Sequence, residues 1–287
     1  MRKFKKGDIV GRISYNKDVI FEIKNIIKLS DNREIAILKG ITDRIEADSY
    51  LDDLELMDKR AVDIRMKLLE DKMQKRVEKC LKNPQYCIEI AKKIFGLSEE
   101  NRSSKVVYTG KILHLDGDKR YAEKSVRYYK SLGLNAIVKN IPENKQATVI
   151  QNLLNRYMPD ILIVTGHDGM IKKQTDYNDI YNYRNSKYFI NTVNEARKWC
   201  ANKGRDIAIF AGACQSYYEA IMLSGANFAS SPARIMIDFI DPLIVAERIA
   251  TTENTRYLTI NDIEEELRDG KDGVNGIGAM GRKKIMT

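Results

Sequence analysis

The chain has 287 residues, 43% hydrophobic and 31% charged with five prolines, and its 49 Lys and Arg against 40 Asp and Glu give a net charge of +9. That length supports one or two domains. The composition is that of a soluble globular protein and excludes long disorder, and no apolar run approaches the roughly 18 residues of a membrane span.

The opening Met1-Arg2-Lys3-Phe4-Lys5-Lys6-Gly7-Asp8 lacks the apolar stretch and small-residue cleavage site of a secretory signal, so export by that route is not expected. Cys80, Cys87, Cys200 and Cys214 are separated by 6, 112 and 13 residues, which matches neither a zinc pair nor a dense disulfide framework. A reducing compartment and free thiols fit this spacing, and a metal site is disfavoured because only two histidines are present. No cofactor is expected. The positive charge is compatible with nucleic acid, with an acidic protein surface or with solvation alone, and does not choose among them.

Residues 1–57 alternate turn signals with short β-rich runs, at Asp8 to Ile13, Ile20 to Ile27 and Glu34 to Lys39. Several short strands in so little sequence predict a small SH3-like barrel. Residues 58–103 form the predicted helical linker. Val62, Met66, Leu69, Met73, Val77 and Cys80 recur there in steps of three or four among charged residues.

From about residue 104 to 268 apolar runs alternate with amphipathic stretches. Strands are predicted at Val106 to Leu115, Ala136 to Ile141, Asp160 to Thr165 and Asp206 to Phe210, with short ones near Asn227 and Ile235. Helices are predicted at Asp118 to Leu132, Glu143 to Tyr157, Lys187 to Asn202 and Gln215 to Leu223. The alternation predicts an α/β fold with a parallel sheet flanked by helices, whose active site lies beyond the carboxyl ends of the strands. Residues 269–287 read as a glycine-rich basic tail. Its Gly276-Ile-Gly278-Ala-Met-Gly281 follows no predicted strand and opens no predicted helix, so the dinucleotide-binding reading of that spacing fails.

Two predicted strands end alike, in Thr165-Gly166-His167-Asp168-Gly169 and Ala211-Gly212-Ala213-Cys214-Gln215-Ser216. Parallel strands open onto one edge, so Cys214 and His167 can meet there as nucleophile and base. A neutral thiol needs a neighbouring imidazole to take its proton. A helix predicted to start at Cys214 would favour thiolate and oxyanion, with the amides of Cys214 and Gly169 as oxyanion donors. Taken singly, a cysteine after a buried strand is more often a packing residue, and a strand-end histidine a structural one. On matched strand ends the catalytic reading gains the advantage. His114, in Leu113-His114-Leu115-Asp116-Gly117-Asp118, is the rival base, although its place inside an apolar alternation favours a structural role. Cys80, Cys87 and Cys200 read as packing residues.

The pair His167-Asp168-Gly169 and Ala213-Cys214 resembles the caspase, legumain and clostripain type of cysteine peptidase. In caspases the histidine lies about 50 residues before the Ala-Cys motif, and here the separation is 47. Asp168 splits His from Gly, and Gly212 stands where caspases carry Gln. The chain also resembles the YabG family of sporulation-specific proteases of endospore-forming bacteria. It does so through Lys5-Lys6-Gly7-Asp8-Ile9-Val10-Gly11-Arg12, Leu113 to Asp118, Thr165 to Gly169, Tyr183 to Phe189, Gly212 to Ser216 and Gly225 to Pro232.

The first resemblance implies a caspase-like fold, and the second implies processing of spore coat proteins and germination protease precursors, in the mother cell and the spore coat. It also implies cleavage near arginine and self-cleavage. An arginine substrate requires a buried carboxylate, for which Asp116 and Asp118 are the first candidates and Asp238 and Asp241 the alternatives. The Tyr- and Asn-rich stretch from Asp176 to Lys187 is expected to wall the cleft. The competing reading is a non-catalytic adaptor for nucleic acid or coat assembly, motivated by charge alone.

Overall fold

The computed structural model describes residues 4–82, 106–171 and 176–286. Its first part is an antiparallel sheet of five strands, β1 (Ile9–Arg12), β2 (Phe21–Lys28), β3 (Glu34–Gly40), β4 (Glu46–Tyr50) and β5 (Leu54–Leu56), in the order β4-β3-β2-β1-β5. Strand alternation sets its inner face: Phe21 and Ile23 are completely buried, and between and beyond them Glu22 and Lys24 form an ion pair at 2.8 Å. Three of these strands carry the expected β-rich runs. β4 does not, since Glu46-Ala-Asp-Ser-Tyr50 has no β-branched residue; backbone pairing to β3 from Ile35↔Tyr50 to Lys39↔Glu46 holds it.

Helix α1 (Lys59–Leu81) starts at Asp58, whose side chain accepts from Ala61 N at 3.2 Å. Four of the six residues of the predicted stripe, Leu69, Met73, Val77 and Cys80, are buried, while Val62 and Met66 are half-buried, and Arg76 ties the helix to Glu247 at 2.8 Å and to Glu266 at 2.7 Å. The rest of the predicted linker, with Cys87, lies outside the described residues.

Beyond it come β6 (Val106–Tyr108), β7 (Ile112–Asp116), β8 (Ala136–Asn140), β9 (Ile161–Thr165), β10 (Ala208–Ala211), β11 (Phe228–Ser230), β12 (Tyr257–Leu258), β13 (Val274–Gly276), β14 (Ala279–Met280) and β15 (Lys284–Met286). The main sheet has the order β13-β11-β10-β9-β7-β8. Strands β8, β7, β9, β10 and β11 are parallel, and β13 closes the edge antiparallel to β11. The sheet is therefore mixed, where a parallel one was expected. The reason is in the glycine-rich segment: Gly276 has no side chain, and a Cβ there would stand 2.1 Å from Asn227 O, so its backbone can lie against β11 as an edge strand.

Both faces of the sheet are covered, so β7, β9 and β10 are buried along their whole lengths and read as continuous apolar runs. Helices α2 (Lys119–Ser131) and α6 (Asp241–Thr251) contribute Tyr121, Tyr128, Leu243 and Ile249 to the face carrying Ile112, Ile161 and Phe210. Helices α3 (Glu143–Tyr157) and α4 (Ser186–Lys203) contribute Ile150, Leu154, Phe189 and Trp199 to the face carrying Leu113, Leu162 and Ile209. Helix α5 (Tyr218–Leu223) follows β10. Ile235, expected in a strand, lies in irregular chain whose carbonyl accepts from Gln215 N at 3.1 Å. Among the described residues no helix is long and apolar enough to cross a membrane.

Candidate active site

Strands β9 and β10 are neighbours in register, Val164 opposite Ala211, and their carboxyl ends release the two loops that carry His167 and Cys214. Gly212 makes the turn out of β10 with φ +116°, and a Cβ there would stand 2.3 Å from Ser230 Oγ. Cys214 is completely buried, with Ile237 N donating to its sulfur at 3.4 Å and Ile237 O facing it at 3.7 Å. Burial, reinforced by the charge of Asp43, pushes the thiol up to about 12. The expected help from a helix terminus is missing, because α5 begins at Tyr218 and has only six residues.

His167 is completely buried as well. Its Nε2 lies 2.8 Å from Gly40 O, and its Nδ1 has no hydrogen-bond partner. A carbonyl oxygen can only accept, so Nε2 carries the proton and Nδ1 the free lone pair. Burial, then Lys39, holds the imidazole well below its ordinary value, which keeps it neutral. No hydrogen bond joins Cys214 Sγ and His167 among the described residues.

What lies across both loops is a segment of the five-stranded sheet, the β3–β4 turn. The carbonyl oxygen of Arg44 accepts from Cys214 N and from Asp168 N, both at 3.2 Å, and Glu46 N donates to Asp168 O at 2.7 Å. Ile45 and Asp168 form a parallel bridge. Gly169 makes the approach possible, because a Cβ there would stand 2.2 Å from Glu46 O. The Gly169 amide, expected as an oxyanion donor, is instead bonded to Asp168 Oδ1 at 2.9 Å, and the neighbouring amide of Asp168 faces the carbonyl.

The side chain of Arg44 is completely buried, with Nη1 2.8 Å from Asp116 Oδ2 and its guanidinium 4.5 Å from the Tyr121 ring and 5.6 Å from the Phe239 ring. Tyr121 and Phe239 stack at 5.3 Å, and Tyr121 also lies 5.5 Å from the His167 ring. Asp116 is held in turn by Asp118 N at 2.8 Å and Thr165 Oγ1 at 3.1 Å. The other three nominated carboxylates have other partners, although the charge of Asp118 also acts on the His167 imidazole, opposing its downward shift. Asp118 caps α2 through Arg120 N at 2.8 Å and lies 3.8 Å from Lys39; Asp238 pairs with Lys72; Asp241 accepts from Asp238 N at 2.8 Å and Arg268 N at 3.2 Å. Burial and the neighbouring Asp238 push the Asp241 carboxyl up to about 7.

His114 sits within β7 with both ring nitrogens engaged, Nδ1 3.1 Å from Tyr129 OH and Nε2 2.8 Å from Thr165 Oγ1. Burial, then Arg44, lowers it well below its ordinary value. Cys80 and Cys200 are buried packing residues; Cys80 Sγ is 3.4 Å from Glu247 Oε1. In the stretch expected to wall the cleft, Tyr183 stacks on Tyr217 at 4.9 Å beside Arg234.

Sequence reasoning passed over Asp168 and Glu143. The completely buried Asp168 carboxyl accepts from Gly169 N, Asn185 N at 2.8 Å, Ser186 Oγ and Ser216 Oγ at 2.9 Å, binding the histidine loop, the cysteine loop and the start of α4 together. Burial raises it to about 6 although those donors favour its charge. Glu143 Oε1 accepts from His167 N at 2.8 Å. The only signal for Asp168 was its intrusion between His167 and Gly169.

A family model described as YabG peptidase U57 matches residues 5–287. The sporulation-specific protease YabG of Bacillus subtilis (strain 168) is 35% identical over 284 residues, covering 99% of this chain and 97% of that protein.

Proposed function

The chain belongs to the YabG peptidase family, and from that premise we propose that it is a cysteine endopeptidase in which Cys214 is the nucleophile, His167 the base and Asp116 the carboxylate that selects arginine. The observation that carries this reading is the convergence of one amide from the cysteine loop and one from the histidine loop on a single carbonyl oxygen, at 3.2 Å each. That is the arrangement an oxyanion hole requires.

In this reading the neutral His167 takes the thiol proton at Nδ1 as Cys214 Sγ adds to the scissile carbonyl. The amides of Cys214 and Asp168 hold the oxygen that becomes negative. His167 then gives the proton to the departing amine, and a water deprotonated by the same nitrogen releases the acid from the thioester. The arginine side chain enters a dry pocket where Asp116 supplies the counter-charge and Tyr121 and Phe239 supply the walls.

The resemblance to sporulation proteases supports spore coat proteins and germination protease precursors as substrates, met in the mother cell and the spore coat. We read the mixed sheet with its flanking helices as caspase-like and the five-stranded sheet as SH3-like. The test is cleavage of peptides that differ only in Arg, Lys or Gln at one position, by the wild type, Cys214→Ala and His167→Ala. Arginine-selective cleavage lost in both variants is the expected result; undiminished cleavage by either removes that residue from the mechanism.

A further inference from the structure

The β3–β4 turn does more than cover the site. Its Arg44 places the carbonyl in the two-amide cradle and the guanidinium on Asp116, and its next residues run along the histidine loop through the Ile45–Asp168 bridge and the Glu46 N to Asp168 O bond of 2.7 Å. Extended backbone pairing outside, one deeply buried side chain inside and one carbonyl between two amides are the three ways a peptidase holds a substrate. We propose that the Arg44–Ile45 peptide bond is this protein's own first substrate, cut by its own Cys214, and that the uncut turn keeps other peptides out of the site. This rests on the function proposed above and deepens it by naming the bond.

Three features set the turn apart from ordinary packing between sheets. Arg44 is completely buried, yet its Nε and Nη2 have no hydrogen-bond partner, which is costly for a residue present only for stability. His167 Nδ1 is buried, unpartnered and deprotonated, as a base must be. Gly40, at the start of the turn, supplies the carbonyl that fixes the His167 tautomer, so the turn orients the base that would cut it.

In the step, the Cys214 thiol proton passes to His167 Nδ1, the Sγ–C bond to Arg44 forms, and the C–N bond to Ile45 breaks as that nitrogen takes the proton from His167. One water then cleaves the thioester, its proton returning to the sulfur through His167. The products are a chain ending in the Arg44 carboxylate and a chain beginning with the Ile45 amine.

The experiment is intact mass and N-terminal sequencing of the full chain, purified as wild type, Cys214→Ala, Arg44→Gln and Arg44→Lys, with circular dichroism to verify that each is folded. A new N-terminus at Ile45 is expected in the wild type, at a rate independent of protein concentration. It should be absent in Cys214→Ala and slowed at least about 100-fold in Arg44→Gln, with Arg44→Lys between. A wild type that cleaves added arginine peptides while its own Arg44–Ile45 bond stays whole overturns self-cleavage and leaves the proposed function standing. A wild type that cleaves neither overturns both. Cutting that persists in Cys214→Ala, or that scales with concentration, assigns the cut to another molecule and overturns the proposal.

Discussion

His167 Nε2 lies 2.8 Å from the carbonyl oxygen of Gly40, and its other ring nitrogen has no hydrogen-bond partner. The imidazole is thus oriented by a backbone group from a different sheet, and its second nitrogen is left without a hydrogen bond. His167→Ala is expected to lower kcat/KM by at least about 10³-fold, as removal of a paired nucleophile or base does. His114→Gln is expected to keep most of the activity and to lose stability instead, by about 1–3 kcal/mol, because two buried hydrogen bonds to Tyr129 and Thr165 are disrupted. Steady-state kinetics and urea unfolding of both variants check the division.

Three of the four nominated carboxylates are separated by one measurement. Asp116→Asn is expected to cost roughly 3–5 kcal/mol in transition-state binding of an arginine peptide, since Asp116 is the carboxylate that pairs with the buried guanidinium at that place. Neither Asp118→Asn nor Asp238→Asn should change the ratio of arginine to glutamine cleavage, because these side chains answer to Arg120 and Lys72. Competition between the two peptides reads that ratio without depending on the amount of active protein.

Acid should loosen the fold through its two histidines. Both are held well below their ordinary value by burial, so the folded chain refuses protons that the unfolded chain accepts below about pH 6.5. Their stabilisation is therefore complete above that pH and is lost as the pH falls. Asp168, raised to about 6, and Asp241, raised to about 7, work in the opposite sense, taking up protons in the fold that the unfolded chain would not. A difference measurement isolates the imidazole: in a Cys214→Ala background, adding His114→Gln should make stability fall less steeply between pH 6.5 and 5, by up to about 1.4 kcal/mol per pH unit. Equal slopes with and without His114 would refute the assignment.

Gly169→Ala should act on the β3–β4 turn. The new Cβ would meet the backbone oxygen of Glu46 at 2.2 Å, and a backbone atom cannot swing aside as a side-chain tip can. The expected result is slower self-cleavage, together with faster alkylation of Cys214, whose thiol is otherwise shielded. Mass spectrometry after iodoacetamide treatment reads both.

The parallel strands were legible because each rests on a local pattern, and the same pattern put His167 and Cys214 on the loops that follow two of them. An unbroken apolar run such as Ile161-Leu-Ile-Val164, rich in β-branched residues and ended by a glycine, reads as a strand buried on both faces, and the residues after it open onto the carboxyl edge of the sheet. Helix α6 was not legible for a related reason: Leu243, Ile244, Val245, Ala246, Ile249 and Ala250 bury nearly its whole circumference, so no 3.6-residue stripe remains. The contact between Arg44 and Asp116 joins residues 72 positions apart, and nothing in either neighbourhood marks the partner. Asp168 looked like a departure from a motif and is a hub, because hydrogen bonds from Ser186 and Ser216 come from loops distant in sequence.

The short ladder between β6 and β15, with Val107 opposite Ile285, has a topological consequence. The strand that leads into the mixed sheet is held by one near the far end of the sequence, so this half of the chain runs out and back to its own beginning. Joining residues 286 and 106 through a short linker and opening the backbone in an exposed loop would give a circular permutant in which each strand of the mixed sheet keeps its neighbours.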